Sequence, residues 1–191
     1  MDQDIRHHIE SCDPCQRKDT PRKTQPLQPL PVTAPWKCIG IDMMGPLPPT
    51  ADGYRHIIVA VDYFTKWPEA APLKDGKAST VAKFIFSNVI CRHGCPSEIR
   101  SDRGPSFQNQ LIKELCDRFS ISHIAVLPYR PQSNGLVERM NRTIGTALSK
   151  FTQKEVTRWD EFLDGILLAY RTTPQTSTGC TPSYLTYGRE L

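Results

Sequence analysis

The amino-acid sequence predicts an α/β protein: one mixed sheet covered by helices on both faces. Two observations carry that expectation. From Trp36 onward, apolar residues first fall in three successive strand-like stretches. Helical and strand-like rhythms then alternate up to a closing pair of helices. Consecutive short strands suit antiparallel pairing, whereas strands separated by helices suit crossovers.

Each element has its own signal. In CIGIDMMG (38–45), Ile39, Ile41 and Met43 share one face and Gly40, Asp42 and Met44 the other, which is the period of a strand. HIIVAVDYF (56–64) is a continuous apolar run, as a buried central strand would be. KWPEAAPL (66–73) reads as a third, weaker strand interrupted by proline. Residues 77–92 carry a helical rhythm through Ala78, Val81, Ala82, Ile85, Val89 and Ile90, stopping at His93-Gly94. A short strand over 97–101 ends at Asp102, and Phe107, Leu111, Ile112, Leu115 and Phe119 recur as one helix face. HIAVL (123–127) is a short strand closed by Pro128. A helix from about Gln132 turns Leu136, Val137, Met140, Ile144, Leu148 and Phe151 inward. The last helix carries Trp159, Phe162, Leu163, Ile166, Leu167 and Tyr170.

The chain has 191 residues, 38% hydrophobic and 23% charged, an ordinary profile for one globular domain with an extra segment. Residues 21–35, PRKTQPLQPLPVTAP, read as a stiff extended linker after a polar opening. No apolar run approaches the length that spans a bilayer, and the N-terminus has no apolar signal core. An intracellular protein without a membrane partner is therefore expected, with its seven cysteines reduced. The net charge of +4 mildly suits a polyanionic partner. Asn141-Arg142-Thr143 matches a glycosylation sequon, read here as chance.

Three acids stand out by position. Asp42 lies within the first strand, opposite the Ile39–Ile41 face, and Asp102 follows the fourth strand. Glu138 lies off the apolar stripe of the helix after the last strand, one turn past Asn134. If the first and fourth strands are neighbours and that helix packs beside them, the three carboxylates converge. Like charges so placed repel unless a cation neutralises them, and oxygen ligands suit magnesium or manganese. Such a site serves two-metal phosphoryl transfer. Taken singly, an acid at a strand end is more often a turn residue or cap, and Asp62 reads as one. Cys91, His93 and Cys95 look metal-like in spacing but end an apolar helix, where buried thiols are commoner than ligands.

Taken together, these stretches resemble the catalytic core of a retroviral-type integrase, specifically that of a gypsy-type LTR retrotransposon. The resemblance rests on SCDPCQR (11–17), GIDMMGPLP (40–48), VDYFTKWPEA (61–70), SDRGPSF (101–107), YRPQSNGLVERMNRT (129–143) and AYRTTPQTSTGCTPSYLTYGRE (169–190). Its most specific feature is the 35 residues (103–137) between Asp102 and Glu138. It implies an RNase H-like fold, a five-stranded mixed sheet flanked by helices. It implies that Asp42, Asp102 and Glu138 form the catalytic, metal-binding triad. It implies a nuclease and transferase, nuclear or in a cytoplasmic particle, that binds nucleic acid and acts in DNA integration and recombination. The partners would be element ends, target DNA and further copies of the chain.

The chemistry implied is two phosphoryl transfers. Water frees a 3′-hydroxyl near the end of linear element DNA, and that hydroxyl then attacks target DNA. Asn134, Arg139 and Arg142 fit two readings, DNA phosphate contacts or a solvated helix face with a Glu138–Arg142 pair. Tyr129 and Arg130 share that ambiguity for a loop near the substrate. Cys12-x-x-Cys15 has the spacing of half a zinc site. Family histidines that complete such a site lie upstream, whereas His7 and His8 sit where the family has no ligand. Residues 1–20 therefore read as a truncated remnant of the zinc-binding module, with 36–191 the catalytic core and zinc unlikely. Two other classes remain: a domesticated integrase-derived DNA-binding or interaction protein, and an RNase H-like nuclease that only hydrolyses.

Overall fold

The computed structural model describes residues 2–13, 32–126, 135–152 and 155–191. Two compact units divide at Leu30–Pro31. The first contributes helix α1, Asp2–Ser11, on which His7 and His8 are exposed.

The second unit holds the sheet. Strand β1 is Cys38–Met44, β2 is His56–Asp62 and β3 is Pro68–Leu73. β1 pairs antiparallel with β2, and β2 with β3. β4 (Glu98–Ser101) and β5 (Ser122–Ala125) follow helices and join in parallel, β4 beside β1 and β5 beside β4. The order is β3-β2-β1-β4-β5. The neighbouring first and fourth strands, the antiparallel opening and the parallel crossovers all match the sequence reading. β3 begins two residues later than expected, because Lys66 and Trp67 belong to the turn that reverses the chain after β2.

Helices α2 and α3 cover one sheet face. α2 is α-helical over Ala78–Phe84, π-helical over Ile85–Ile90 and α-helical again over Cys91–His93. It stops at Gly94, whose φ of 91° only glycine adopts without strain. α3 is Gln110–Arg118, capped by the Asn109 side chain on the Ile112 N–H. Their apolar faces meet Ile39, Ile41, Ile58 and Ile99. On the other face, α4 (Gly135–Phe151) and α5 (Trp159–Arg171) close over Ile57, Val59 and Val61. The start expected near Gln132 lies outside the described residues. A short helix α6, Pro182–Tyr187, follows with Thr181 as its cap; the sequence reading did not include it.

Two expected core residues face outward. Phe151 is 62% exposed and Leu111 43%. Phe151 ends α4 and stacks on Phe162 at 5.9 Å instead of reaching the sheet. Leu111 falls in the first turn of α3, because Phe107, from which the stripe was counted, lies in the turn before that helix. Among the described residues no helix is long and apolar enough to cross a membrane.

Candidate active site

The β1–β4 ladder sets the site. Gly40 pairs with Arg100, so two residues further on Asp42 and Asp102 lie level on neighbouring strands and point to the same face. α4 crosses that face. From it Asn141 Nδ2 donates to Asp42 Oδ2 at 2.9 Å. The Met43 backbone N–H holds the other oxygen, Oδ1, at 2.8 Å. Glu138 stands three residues before Asn141, in the first turn of α4, and is exposed. Asp102 closes a tight turn: its Oδ1 accepts from the Gly104 N–H at 2.9 Å. Ser101 Oγ donates to the Asp102 carbonyl at 2.8 Å and lies 2.9 Å from His123 Nε2.

The electrostatics tie the three acids together. The Asp42 carboxyl is pushed up to about 6, most of all by burial, with the charges of Asp102 and Glu138 adding to it. The Met43 and Asn141 donors work in the opposite direction. Carboxylates without a thiol or imidazole are the donor set of a hard cation. A cation would relieve the repulsion that Asp42 senses, so these residues fit magnesium or manganese. Among the described residues, no three His, Cys, Asp or Glu side chains stand close enough to enclose an ion. Further down the same face, Cys38 Sγ lies 3.5 Å from Glu98 Oε1, and Glu98 pairs with Arg100. Burial first, then the Glu98 charge, pushes the Cys38 thiol up to about 12, which makes it a poor nucleophile.

Comparison with known proteins decides the family. Residues 32–131 match the integrase core domain. The chain belongs to that family. Within 136 residues it is 38% identical to the Gag-Pol polyprotein of avian reticuloendotheliosis virus, covering 71% of this chain but 12% of the polyprotein. The integrase core thus spans a small part of the curated relatives it matches. Among solved structures, a chain of the simian T-cell lymphotropic virus intasome in complex with the PP2A regulatory subunit B56 gamma superposes with a TM-score of 0.75. It is 25% identical and covers 100% of this chain and 68% of its own. The catalytic core of BIV integrase superposes at 0.63, with 25% identity, covering 80% of this chain and 95% of that one. The five-stranded RNase H-like sheet is the integrase fold.

Within this integrase core, several expected residues are now placed. Arg139 and Arg142 are exposed on α4. That exposure suits both readings of these arginines, DNA phosphate contacts and a solvated helix face. Asn134, Tyr129 and Arg130 lie outside the described residues, as does Cys15. Asp62 is fully buried and caps a turn, accepting from Trp36 N, Thr65 N and Thr65 Oγ1. Cys91 and Cys95 are exposed, not buried, because the end of α2 turns them off the sheet. His93 instead stacks on Trp36 at 3.6 Å and meets Glu69 Oε1 at 2.8 Å.

Asn141 was missed. Read only as part of a chance sequon, it binds Asp42. The available signal was its place three residues after Glu138, which puts both on one side of a helix.

Proposed function

We propose that the chain carries the phosphodiester-transfer centre of a gypsy-type LTR-element integrase, acting on element ends and target DNA. The observation that supports this most is the coupling of Asp42 to Asp102 and Glu138, three acids from β1, the end of β4 and α4. Asp42, Asp102 and Glu138 would hold magnesium or manganese. When bound, the metal pair supplies charge neutralisation at the reacting phosphate and activation of the attacking oxygen.

The chain's own residues position these groups. Asn141 and the Met43 N–H fix the two oxygens of Asp42, and the Gly104 N–H orients Asp102. Arg139 and Arg142, with Asn134, Tyr129 and Arg130, contact DNA phosphates and carry little sequence information. In end processing, a water oxygen bonds to phosphorus as the bond to the 3′ oxygen breaks, leaving a free 3′-hydroxyl. In strand transfer that hydroxyl bonds to a target phosphorus and the target strand's 3′ oxygen departs. No covalent enzyme intermediate is needed. Several copies would act together to bring two DNA ends to one target.

The test is a labelled branched oligonucleotide, resolved on a gel after incubation with manganese or magnesium. Cutting or joining by the wild type, lost in Glu138→Gln, is the expected result. Activity that survives Glu138→Gln removes the triad. A wild type that binds DNA and never cuts it favours the domesticated-binder reading.

A further inference from the structure

Asp102 stands one residue past the sheet. β4 ends at Ser101, whose carbonyl accepts from the Val126 N–H at 2.8 Å. The turn that follows is exposed at Asp102 and Arg103. It is also tight: a Cβ on Gly104 would lie 3.0 Å from Asp102 Oδ1. Whether the Gly104 N–H meets that oxygen depends on the tilt of the peptide plane between Asp102 and Arg103. The Asp102 carbonyl lies in that plane, so whatever binds the carbonyl sets the turn.

The carbonyl is bound from across the sheet. Ser101 is fully buried and shares its strand face with Ile99, in the core under α2 and α3. His123 pairs level with Ile99 on β5 and lines a cleft of about 450 Å³ with Phe107, Cys116 and Ile121. Ser101 Oγ donates to the Asp102 carbonyl at 2.8 Å, and His123 Nε2 lies 2.9 Å from the same hydroxyl oxygen. A serine has one hydroxyl proton, and here it goes to Asp102. The imidazole Nε2–H therefore donates to Ser101, whether the ring is neutral or charged.

Core packing does not require this pair. A serine and a histidine that served only each other could be exchanged for apolar side chains at little cost. Here the pair's last bond leaves the core and ends on the backbone of an acid of the triad.

We propose that His123 and Ser101 are positioning residues for Asp102: the imidazole, through the Ser101 hydroxyl, fixes the Asp102 carbonyl and so the turn that aims the carboxylate at a metal ion. This rests on the reading of Asp102 as a metal ligand. Neither residue touches substrate or takes part in the chemistry.

The experiment measures manganese binding on the folded protein, from the free-ion signal in electron paramagnetic resonance. Melting in EDTA is followed on the same samples. His123→Leu keeps the bulk and removes the donor, and Ser101→Ala removes both bonds. Each should raise the Kd for manganese about tenfold, as loss of an outer partner of a metal ligand does. The double variant should bind no more weakly than the weaker single one, because both changes break one relay. His123→Gln puts an N–H donor back within reach of Ser101 and should bind close to the wild type. Ser101→Ala is the smaller change and carries the test if His123→Leu does not fold.

A purely structural role would lower the melting temperature in EDTA and leave the Kd alone, and that result overturns the proposal. Losses that add in the double variant overturn it too, since the two residues would then act separately. So does a His123→Gln protein as weak as His123→Leu. A wild type that binds no manganese brings down the metal reading of the triad itself, and this inference with it.

Discussion

Replacing Asp42 by asparagine should stabilise the metal-free protein. The wild-type carboxyl is raised from 3.8 to about 6, by burial first and then by Asp102 and Glu138. A folded-state value above the unfolded one means that the native protein binds the proton more tightly. Stability is therefore greatest below about pH 4, falls as pH rises to about 6, and stays lower above that. A shift of about two units corresponds to about 3 kcal/mol. Asp42 is only partly buried, so solvent screening brings a realistic figure to about 1.5 kcal/mol.

Asparagine keeps the shape and removes the charge. Its single oxygen can still accept from the Met43 N–H. Its amide then faces Asn141, whose Oδ1 is buried with no partner among the described residues, so a flip of the Asn141 amide restores the second hydrogen bond. The gain should thus survive as a rise in melting temperature of about 3–6 °C at pH 8 in EDTA. The assay is thermal melting by circular dichroism from pH 4 to pH 8. The wild-type and Asp42→Asn curves should coincide near pH 4 and separate by pH 6. A variant that melts no higher than the wild type at pH 8, or whose advantage persists unchanged at pH 4, refutes the reasoning.

Other outcomes follow from the same structure. Saturating magnesium or manganese should raise the wild-type melting temperature, by about 2.7 kcal/mol of stability at a hundredfold excess over Kd, and Asp102→Asn should shrink the response in the same melts. Glu69→Ala should cost about 3–5 kcal/mol in urea unfolding, because it strands the Arg171 charge that Glu69 balances. Asn141→Ala should lower the manganese-dependent cutting rate while leaving duplex binding unchanged, since it frees Asp42 Oδ2 without removing a ligand. Tag-free protein after dialysis should hold little zinc by elemental analysis.

Much of the architecture was legible because it follows from period. β2 is buried on both faces, and its unbroken apolar run said so. The two apolar helix pairs had to find opposite sheet faces, and Ile39 and Ile41 divide from Val59 and Val61 as the alternation requires. Ends were harder. Phe151 keeps the helical spacing, but periodicity does not tell where the sheet beneath a helix stops. The π-helical stretch Ile85–Ile90 shifts the register of α2 by a hydrogen-bond choice that leaves no mark in composition. The short helix α6 did have a signal, Thr181 before Pro182, a cap followed by proline in the first turn. Within the candidate site, Asp42 and Asp102 were placed level by strand adjacency. The donors that orient them, Asn141 and the Met43 and Gly104 N–H groups, depend on tertiary geometry.

The three carboxylates that begin inside or next to β2, β3 and β1 separate structure from function more sharply than their spacing does. Asp62 accepts three hydrogen bonds and is fully buried. Glu69 lies under His93, Trp67, Arg171 and Arg92. Burial alone would raise its pKa, yet these partners hold it below the usual carboxylate range. Both are satisfied by the fold, and neither has a use for a further cation. Asp42 has two donors, two acids for neighbours and a raised pKa. Beside Asp62 and Glu69, which the fold satisfies so fully, Asp42 is the carboxylate whose charge a proton or an external cation would relieve most. That makes the sign of the stability change on neutralisation the diagnostic quantity. Neutralising Glu69 should destabilise the protein and neutralising Asp42 should stabilise it, although both acids sit in the same sheet.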